Sequence, residues 1–321
     1  MKRFVLFFIC FALLQADPFE RVVIWGHKLH THTHSYIHNA FYRAFKHLGY
    51  ETYWLDEKDD LSKYDLSNSL FITEGQADTT IPLRDDSYYF LHNCSHIQRL
   101  KKQKDAGRTF CFQVYTDDVL TRKGLTKYAP CHYYSVERRA LYMPWATDLL
   151  PHEIEENKLR LLQTEKEKKI YWIGTIGSGE FGNMQTIQPF KSASNKKRIP
   201  FITKRRVSVK ENRDLIMRSF MAPTIVGPWQ AKKGYVPCRI FKNISYGQMG
   251  VTNSKRVYEL FNRKIIYNSD TAELFNDAYR QIPKISNEEI FELMDFVKEN
   301  HTYLNRIEFM LKLLREFLVT S

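Results

Sequence analysis

The sequence predicts an α/β protein of two Rossmann-like, doubly wound domains facing a cleft, and three observations lead to that expectation. Short apolar runs alternate with stretches whose apolar residues recur at helical spacing, from Val22 to Ser269. The alternation occurs twice, on either side of the charged segment HEIEENKLRLLQTEKEKK at residues 152–169. About 300 residues remain once an N-terminal leader is set aside, enough for two domains that each bury a core. Such consecutive series form mostly parallel sheets with helices on both faces, and their ligands sit in the crevice between lobes.

Residues 1–16 come first. Lys2 and Arg3 precede the apolar run FVLFFICFALL, and Ala16 offers a small residue for cleavage. The run is shorter than the roughly 20 residues of a spanning helix, so it reads as a signal peptide or an N-terminal anchor. The chain is therefore expected to be exported or membrane-associated. VVIW is then a strand, the histidine-rich HKLHTHTHSY a loop, and Ser35 the cap of a helix through Leu48. Ile37, Phe41, Ala44, Phe45 and Leu48 share one face of that helix, and Gly49 suits its left-handed end. YETYWL completes a right-handed βαβ unit. SLFITEG, SYYFLHN and RTFCFQVY continue as strands, HIQRLKKQKDAG as a basic helix, and CHYYSVERRALYMPW as two extended pieces.

The second series opens with the strand KIYWIG. A helix near 183–194, the strand IPFIT, a helix from Ser208 to Phe220 and the strand TIVG follow. A helix after Pro237 and the strands GVTN and KIIYNS complete it, and two helices close the chain. Ser286 and Glu289 form a capping box at the first of these. The expected division is a first domain at 20–150, a linker at 151–168, a second domain at 169–300 and a terminal helix at 301–321 packing back across the junction.

Aromatic residues make up 14% of the chain and hydrophobic residues 43%, which indicates a folded protein. A net charge of +12 favours anionic partners: phosphorylated small molecules, an acidic membrane face or nucleic acid. The densest basic stretch, KSASNKKRIPFITKRR, has thin aromatic interleaving and no accompanying recognition motif, so a solvated face, or attraction for an anionic glycan or membrane, is expected there and no nucleic acid. Cys94, Cys111, Cys131 and Cys238 lack C-x-x-C spacing, which excludes a zinc ribbon and leaves disulfides and free thiols both open. N-glycosylation sequons stand at Asn93, Asn243 and Asn300.

The segment GYVPCRIFKNISYGQMGVTNS, residues 234–254, holds most of the chemical information. Pro237 suits a helix start and Gly247 its end. Ile240, Phe241 and Ile244 face a core, whereas Arg239, Lys242, Asn243 and Tyr246 share the other face. Cations in the first turns of a helix oppose its dipole by about 0.3–1 kcal/mol each. A phosphate at that end removes the conflict, with Arg239 supplying a fork and Lys242 a point charge. A solvated basic face is the plainer reading.

Residues 234–268, GYVPCRIFKNISYGQMGVTNSKRVYELFNRKIIYN, resemble the nucleotide-sugar-binding region of group 1-like GT-B glycosyltransferases, especially the spore-maturation-type branch. ENHTYLNRIEFMLKLL at 299–314 is similar to that branch's closing helix. YMPWATDLLPHEI at 142–154 resembles its crossing between halves, and KIYWIGTIGSGEFGN at 169–183 its opening strand and glycine loop. The resemblance implies a C-terminal domain that binds the sugar donor, an N-terminal acceptor domain and no obligatory metal or cofactor beyond the nucleotide-sugar co-substrate. It implies a glycan, lipid or protein hydroxyl as acceptor. On this chain it places Arg239 and Lys242 at the donor diphosphate, Gly174, Thr175 and Gly177 in the glycine loop, and Asn253 and Ser254 facing the cleft. Lys242 departs from the family, which has a glutamate there, and so leaves donor identity and stereochemistry open.

The histidine loop lies at the carboxyl end of the first strand, the rim that faces the cleft in such folds. Imidazole titrates near neutral pH, so His34 or His27 is the candidate base for an acceptor hydroxyl. Two rivals stand beside the glycosyltransferase. The HTHTH run also matches the H-x-H opening of metal-dependent hydrolases and phosphoesterases, which requires further ligands downstream. A non-catalytic glycan-binding protein is the other.

Overall fold

The computed structural model describes residues 17–28, 33–73, 79–92, 100–115 and 124–320. The first lobe is an eight-stranded sheet built from β1 (Arg21–Trp25), β2 (Glu51–Leu55), β3 (Ser69–Thr73), β4 (Tyr88–His92), β5 (Thr109–Gln113), β6 (Thr126–Ala129), β7 (His132–Ser135) and β8 (Ala140–Tyr142). Its strand order is β2-β1-β3-β4-β5-β8-β7-β6. The six strands from β2 to β8 in that order pair in parallel, while β7 and β6 return antiparallel. Strand β6 was not expected from the sequence, because TKYA is short, polar and exposed.

Strand β1 shows why the parallel core forms. Val22 and Ile24 enter the cluster that contains Ile37, Phe41, Ala44 and Phe45 of α1 (Thr33–His47), whereas Val23 and Trp25 enter the cluster on the opposite sheet face. Both faces are covered, so every residue of β1 is buried and the strand reads as a continuous apolar run. Helix α1 begins before Ser35, and Leu48, expected on its buried face, is exposed. Gly49 follows at φ +88°, the left-handed conformation expected of it.

The charged boundary stretch contains a helix, α3 (Pro151–Leu161), numbered after the short α2 (Lys101–Asp105). Ile154 of α3 belongs to the second lobe's core and the buried Leu161 lies against Gly247 at the end of the 238–245 helix, so this segment packs as part of that lobe. The second lobe comprises β9 (Ile170–Ile173), α4 (Met184–Lys196), β10 (Phe201–Lys204), α5 (Val209–Arg218), β11 (Ala222–Thr224), α6 (Pro228–Lys232), α7 (Cys238–Ser245), β12 (Gly250–Thr252), α8 (Lys255–Leu260), β13 (Ile266–Tyr267), α9 (Thr271–Gln281), and α10 (Asn287–Asn300). Parallel pairing joins β10 to β9 and β11 to β12 to β13. Between these sets Phe220 N donates to Lys169 O at 2.8 Å, and Tyr171 N to the Ser219 hydroxyl at 3.0 Å. Strand β10 forms the outer edge, flanked by Lys196, Lys197 and Arg198 before it and by Arg205 and Arg206 after it, all exposed.

The last helix, α11 (Tyr303–Thr320), returns to the first lobe. Tyr303, Ile307, Met310, Leu313 and Leu314 pack with Phe41 and Phe45 of α1 in the first core. The chain thus crosses between lobes twice, at residues 143–150 and 300–303, and Arg306 fastens the two crossings. Its guanidinium, 0% exposed, donates to Pro144 O at 2.8 Å, Trp145 O at 3.0 Å and Asn300 O at 3.1 Å, and meets His301 Nδ1 at 3.0 Å. Thr147 N donates to His301 O at 3.0 Å, and its hydroxyl meets Ser245 Oγ of α7 at 2.7 Å. Replacing Arg306 by Met keeps bulk but strands three carbonyls, each worth about 1–3 kcal/mol when buried and unmet. The Arg306→Met protein is expected to melt well below wild type by calorimetry, more so than an Arg315→Met control, whose guanidinium pairs with Asp17 near the surface.

Candidate active site at the lobe interface

Helix α7 starts after Pro237, whose φ of −72° and ψ of 143° make it the N-cap, and stops before Gly247 at φ +84°. Ile240, Phe241 and Ile244 anchor one side in the second core. The opposite side divides in two. Asn243 and Tyr246, expected at the donor, are engaged elsewhere: Asn243 Nδ2 donates to Ala222 O at 3.0 Å and ties α7 to β11, while Tyr246 is fully buried in a polar cluster. Helical spacing put all four residues on one non-core face, but Asn243 is consumed by the fold and Tyr246 joins the second core.

Arg239 and Lys242 are not consumed. Among the described residues neither side chain has a hydrogen-bond acceptor or ion pair. The Arg239 guanidinium lies 3.9 Å from the centre of the Trp172 ring at the end of β9. It also lies against Gly174, where an added Cβ would sit 2.9 Å from a guanidinium nitrogen and where φ is +123°. The positive φ demands glycine, whereas the guanidinium, at the end of a flexible side chain, could shift. Burial lowers the Arg239 pKa to about 10. Lys242 is 8% exposed, with its ammonium 5.3 Å from the centre of the Tyr36 ring of α1. Burial and then the neighbouring Arg239 charge lower it to about 8, against the opposing pull of Cys238 and Asp148.

Beneath Lys242 lies a cluster that draws on both lobes and the crossing. Tyr246 OH donates to the two carboxylate oxygens of Asp148 at 3.0 and 2.9 Å, and Tyr36 OH meets Tyr246 OH at 2.6 Å. Burial raises the Asp148 pKa, while Tyr36, Lys242 and Tyr246 act to hold it down. Neither Tyr36 nor Asp148 was singled out from the sequence. The available signal was a lone acid inside the apolar crossing MPWATDLLP, since an acid is rarely buried without partners.

The glycine loop connects β9 to α4. Gly177 N donates to Asn183 Oδ1 at 3.2 Å, and Gly177 O accepts from Met184 N at 2.9 Å. A Cβ on Gly182 would stand 2.2 Å from Gly177 O, and one on Gly227 would stand 2.0 Å from Gly182 O. These contacts set Phe181, 62% exposed, edge-on to Trp229, whose ring also meets Tyr115 of the first lobe at 5.1 Å. Thr175 is exposed beside Gly174. Asn253 pairs with both Val226 N at 2.9 Å and Val226 O at 3.0 Å, and Ser254 caps α8. Both therefore hold the turn after β12.

At the rim of β1, His27 stacks on His34 at 4.8 Å and meets His38 edge-on at 5.2 Å. His27 has φ 56°, and His38 Nδ1 lies 2.7 Å from Gly26 O. His30 and His32 lie outside the described residues. Among the described residues no three of His, Cys, Asp or Glu converge to hold a metal ion. Cys111 is disulfide-bonded, whereas Cys131 and Cys238 are free.

No family model and no curated protein matches the chain. Solved structures do. An alpha-glucosyltransferase in complex with UDP and a 13-mer DNA containing a HMU base superposes with a TM-score of 0.56 at 9% identity, over 90% of this chain and 99% of that one. AviGT4, a glycosyltransferase involved in avilamycin A biosynthesis, gives 0.53 at 11% identity, over 92% and 96%. Trehalose-6-phosphate synthase from E. coli bound with UDP-2-fluoro glucose gives 0.52 at 9% identity, over 92% and 98%. The fold is thus GT-B, two Rossmann-like domains.

The glycine contacts lead to a measurable expectation. Gly227→Ala should destabilise the protein by about 1–3 kcal/mol or more through overpacking against backbone. Gly179→Ala, where a Cβ meets nothing within 4 Å but φ is +78°, should cost only about 1–2 kcal/mol of left-handed strain. Chemical denaturation of the two variants distinguishes these outcomes.

Proposed function

We propose that the protein is a glycosyltransferase that moves a sugar from a nucleoside-diphosphate donor to a hydroxyl on a glycan, lipid or protein. The observation that carries this is the pair of unpartnered cations, Arg239 and Lys242, on one face of α7 at the junction of a GT-B fold. One of these charges is buried and the other half-buried, neither has an acceptor among the described residues, and a diphosphate supplies a counter-charge for each. Two of the similar structures hold UDP or a UDP sugar, which supports a donor of this class.

In the reaction the acceptor oxygen bonds to the anomeric carbon as the bond from that carbon to the diphosphate breaks. The leaving group takes the electron pair, and its added negative charge falls at Arg239 and Lys242, fixed before the reaction begins. Gly174, Thr175 and Gly177 let the backbone approach the donor closely, while Asn253 and Ser254 shape the wall after β12. A histidine of the β1 rim, His34 or His27, accepts the acceptor hydroxyl proton. Lys242, standing where the resembled family usually has a glutamate, leaves sugar identity and stereochemistry open. The Cys111 disulfide agrees with an oxidising compartment reached through residues 1–16.

Thermal shift and donor hydrolysis with a panel of UDP, GDP and ADP sugars test the reading. Arg239→Ala and Lys242→Ala should each weaken binding of the stabilising donor by about tenfold or more, in line with about 1.5–3 kcal/mol for a hydrogen bond to a charged group. Unchanged affinity in both variants refutes it, and binding without turnover identifies a glycan- or nucleotide-binding module instead. The pH dependence has a definite sign. Free Lys242 loses its proton near pH 8, and a bound diphosphate favours the charged form, so affinity should fall as pH rises past about 8. Binding just above that point should take up protons, measured by calorimetry in buffers of different ionisation enthalpy.

A further inference from the structure

The Tyr36, Tyr246 and Asp148 cluster comes from three separated pieces of chain: the first lobe's α1, the second lobe's α7 and the crossing between them. Buried carboxylates normally neutralise a neighbouring cation by bonding to it. Asp148 does not. Tyr246 occupies both of its oxygens, and Asp148 and Lys242 form no ion pair although each acts electrostatically on the other. The charge is offset, so the ammonium keeps its donors for something else.

We propose that Asp148 is a positioning residue for anion recognition, tied down by Tyr246 and Tyr36 so that it holds Lys242 charged without capturing it. This rests on the reading of the Arg239 and Lys242 face as the diphosphate site and adds what keeps that face cationic. Lys242 is faced by Arg239 and Cys238 of its own helix, by Tyr36 of α1 and by Asp148 of the crossing. Asp148 is the one carboxylate among them. Tyr303 and Cys238 also act on or from the Asp148 side, but both are neutral partners there, since burial raises each. Removing the Asp148 charge leaves Lys242 beside Arg239 with no opposing anion. The ligand then has no bond to break on arrival, in contrast to a lysine already paired.

Two readouts test this. Titration calorimetry with UDP and with inorganic pyrophosphate, from about pH 6 to about pH 10, should show affinity falling past a midpoint near 8 in wild type. Asp148→Asn should move that midpoint down by about one unit, a loss of about five- to sixfold at the wild-type midpoint. Tyr36→Phe should move it the same way by less. Lys242→Arg should flatten the profile, and adding Asp148→Asn to it should leave it flat. A uniform affinity loss with an unmoved midpoint, or a loss that persists beside Lys242→Arg, overturns the proposal.

The second readout uses no ligand. The 13Cε resonance of Lys242, assigned by its disappearance in Lys242→Arg, should titrate at lower pH in Asp148→Asn than in wild type. An unmoved titration overturns the proposal even if neither probe binds. Failure of wild type to bind UDP or pyrophosphate instead refutes the diphosphate reading alone. Circular dichroism confirms folding, and if Asp148→Asn does not fold, Tyr36→Phe carries both measurements.

Discussion

A guanidinium can stay fully buried only if its donors all find acceptors, and Arg306 meets that demand with main-chain oxygens of the two crossings. The rest of the molecule depends on that constraint. Because Pro144, Trp145 and Asn300 are drawn to one side chain, Thr147 falls beside His301 and Ser245, and Asp148 follows into the seam where Tyr246 meets it. Asn157 of α3 reaches the same place, donating to Ser245 O at 3.0 Å. The position of a carboxylate at the site is thus a consequence of how the lobes are fastened.

The contrast between Arg306 and Arg239 supports the proposed diphosphate site. Both are depressed to about 10 by burial. One has its donors met by the fold, and the other rests on an indole and a glycine with its donors unmet. Folding alone explains the first. The second, with Lys242 beside it, is left without an acceptor among the described residues, which is what an anionic ligand would supply.

The sequence made the first lobe readable where burial on both sheet faces leaves a continuous apolar run, as in VVIW, and where α1 repeats its apolar residues at helical spacing. It failed where the signal is not local. The antiparallel return through β6 is short and polar, and α9 was missed although Asp270 caps it and Leu274, Phe275 and Ala278 line its buried face. Strand β11 ends before Ile225, ahead of the run expected for it, because Asn253 captures Val226 just beyond. At the site, spacing revealed that Arg239, Lys242, Asn243 and Tyr246 share a face. It could not reveal that Ala222 and Asp148 wait beneath two of them, since both partners come from other parts of the chain.

The basic flanks of β10 have an effect apart from any ligand. An outermost strand offers unsatisfied amides and carbonyls to any strand that drifts alongside. Here a second copy would have to bring its own Lys196, Lys197, Arg198, Arg205 and Arg206 against the same residues. Mutual repulsion therefore guards this border against fibre growth, and the guard weakens as salt rises.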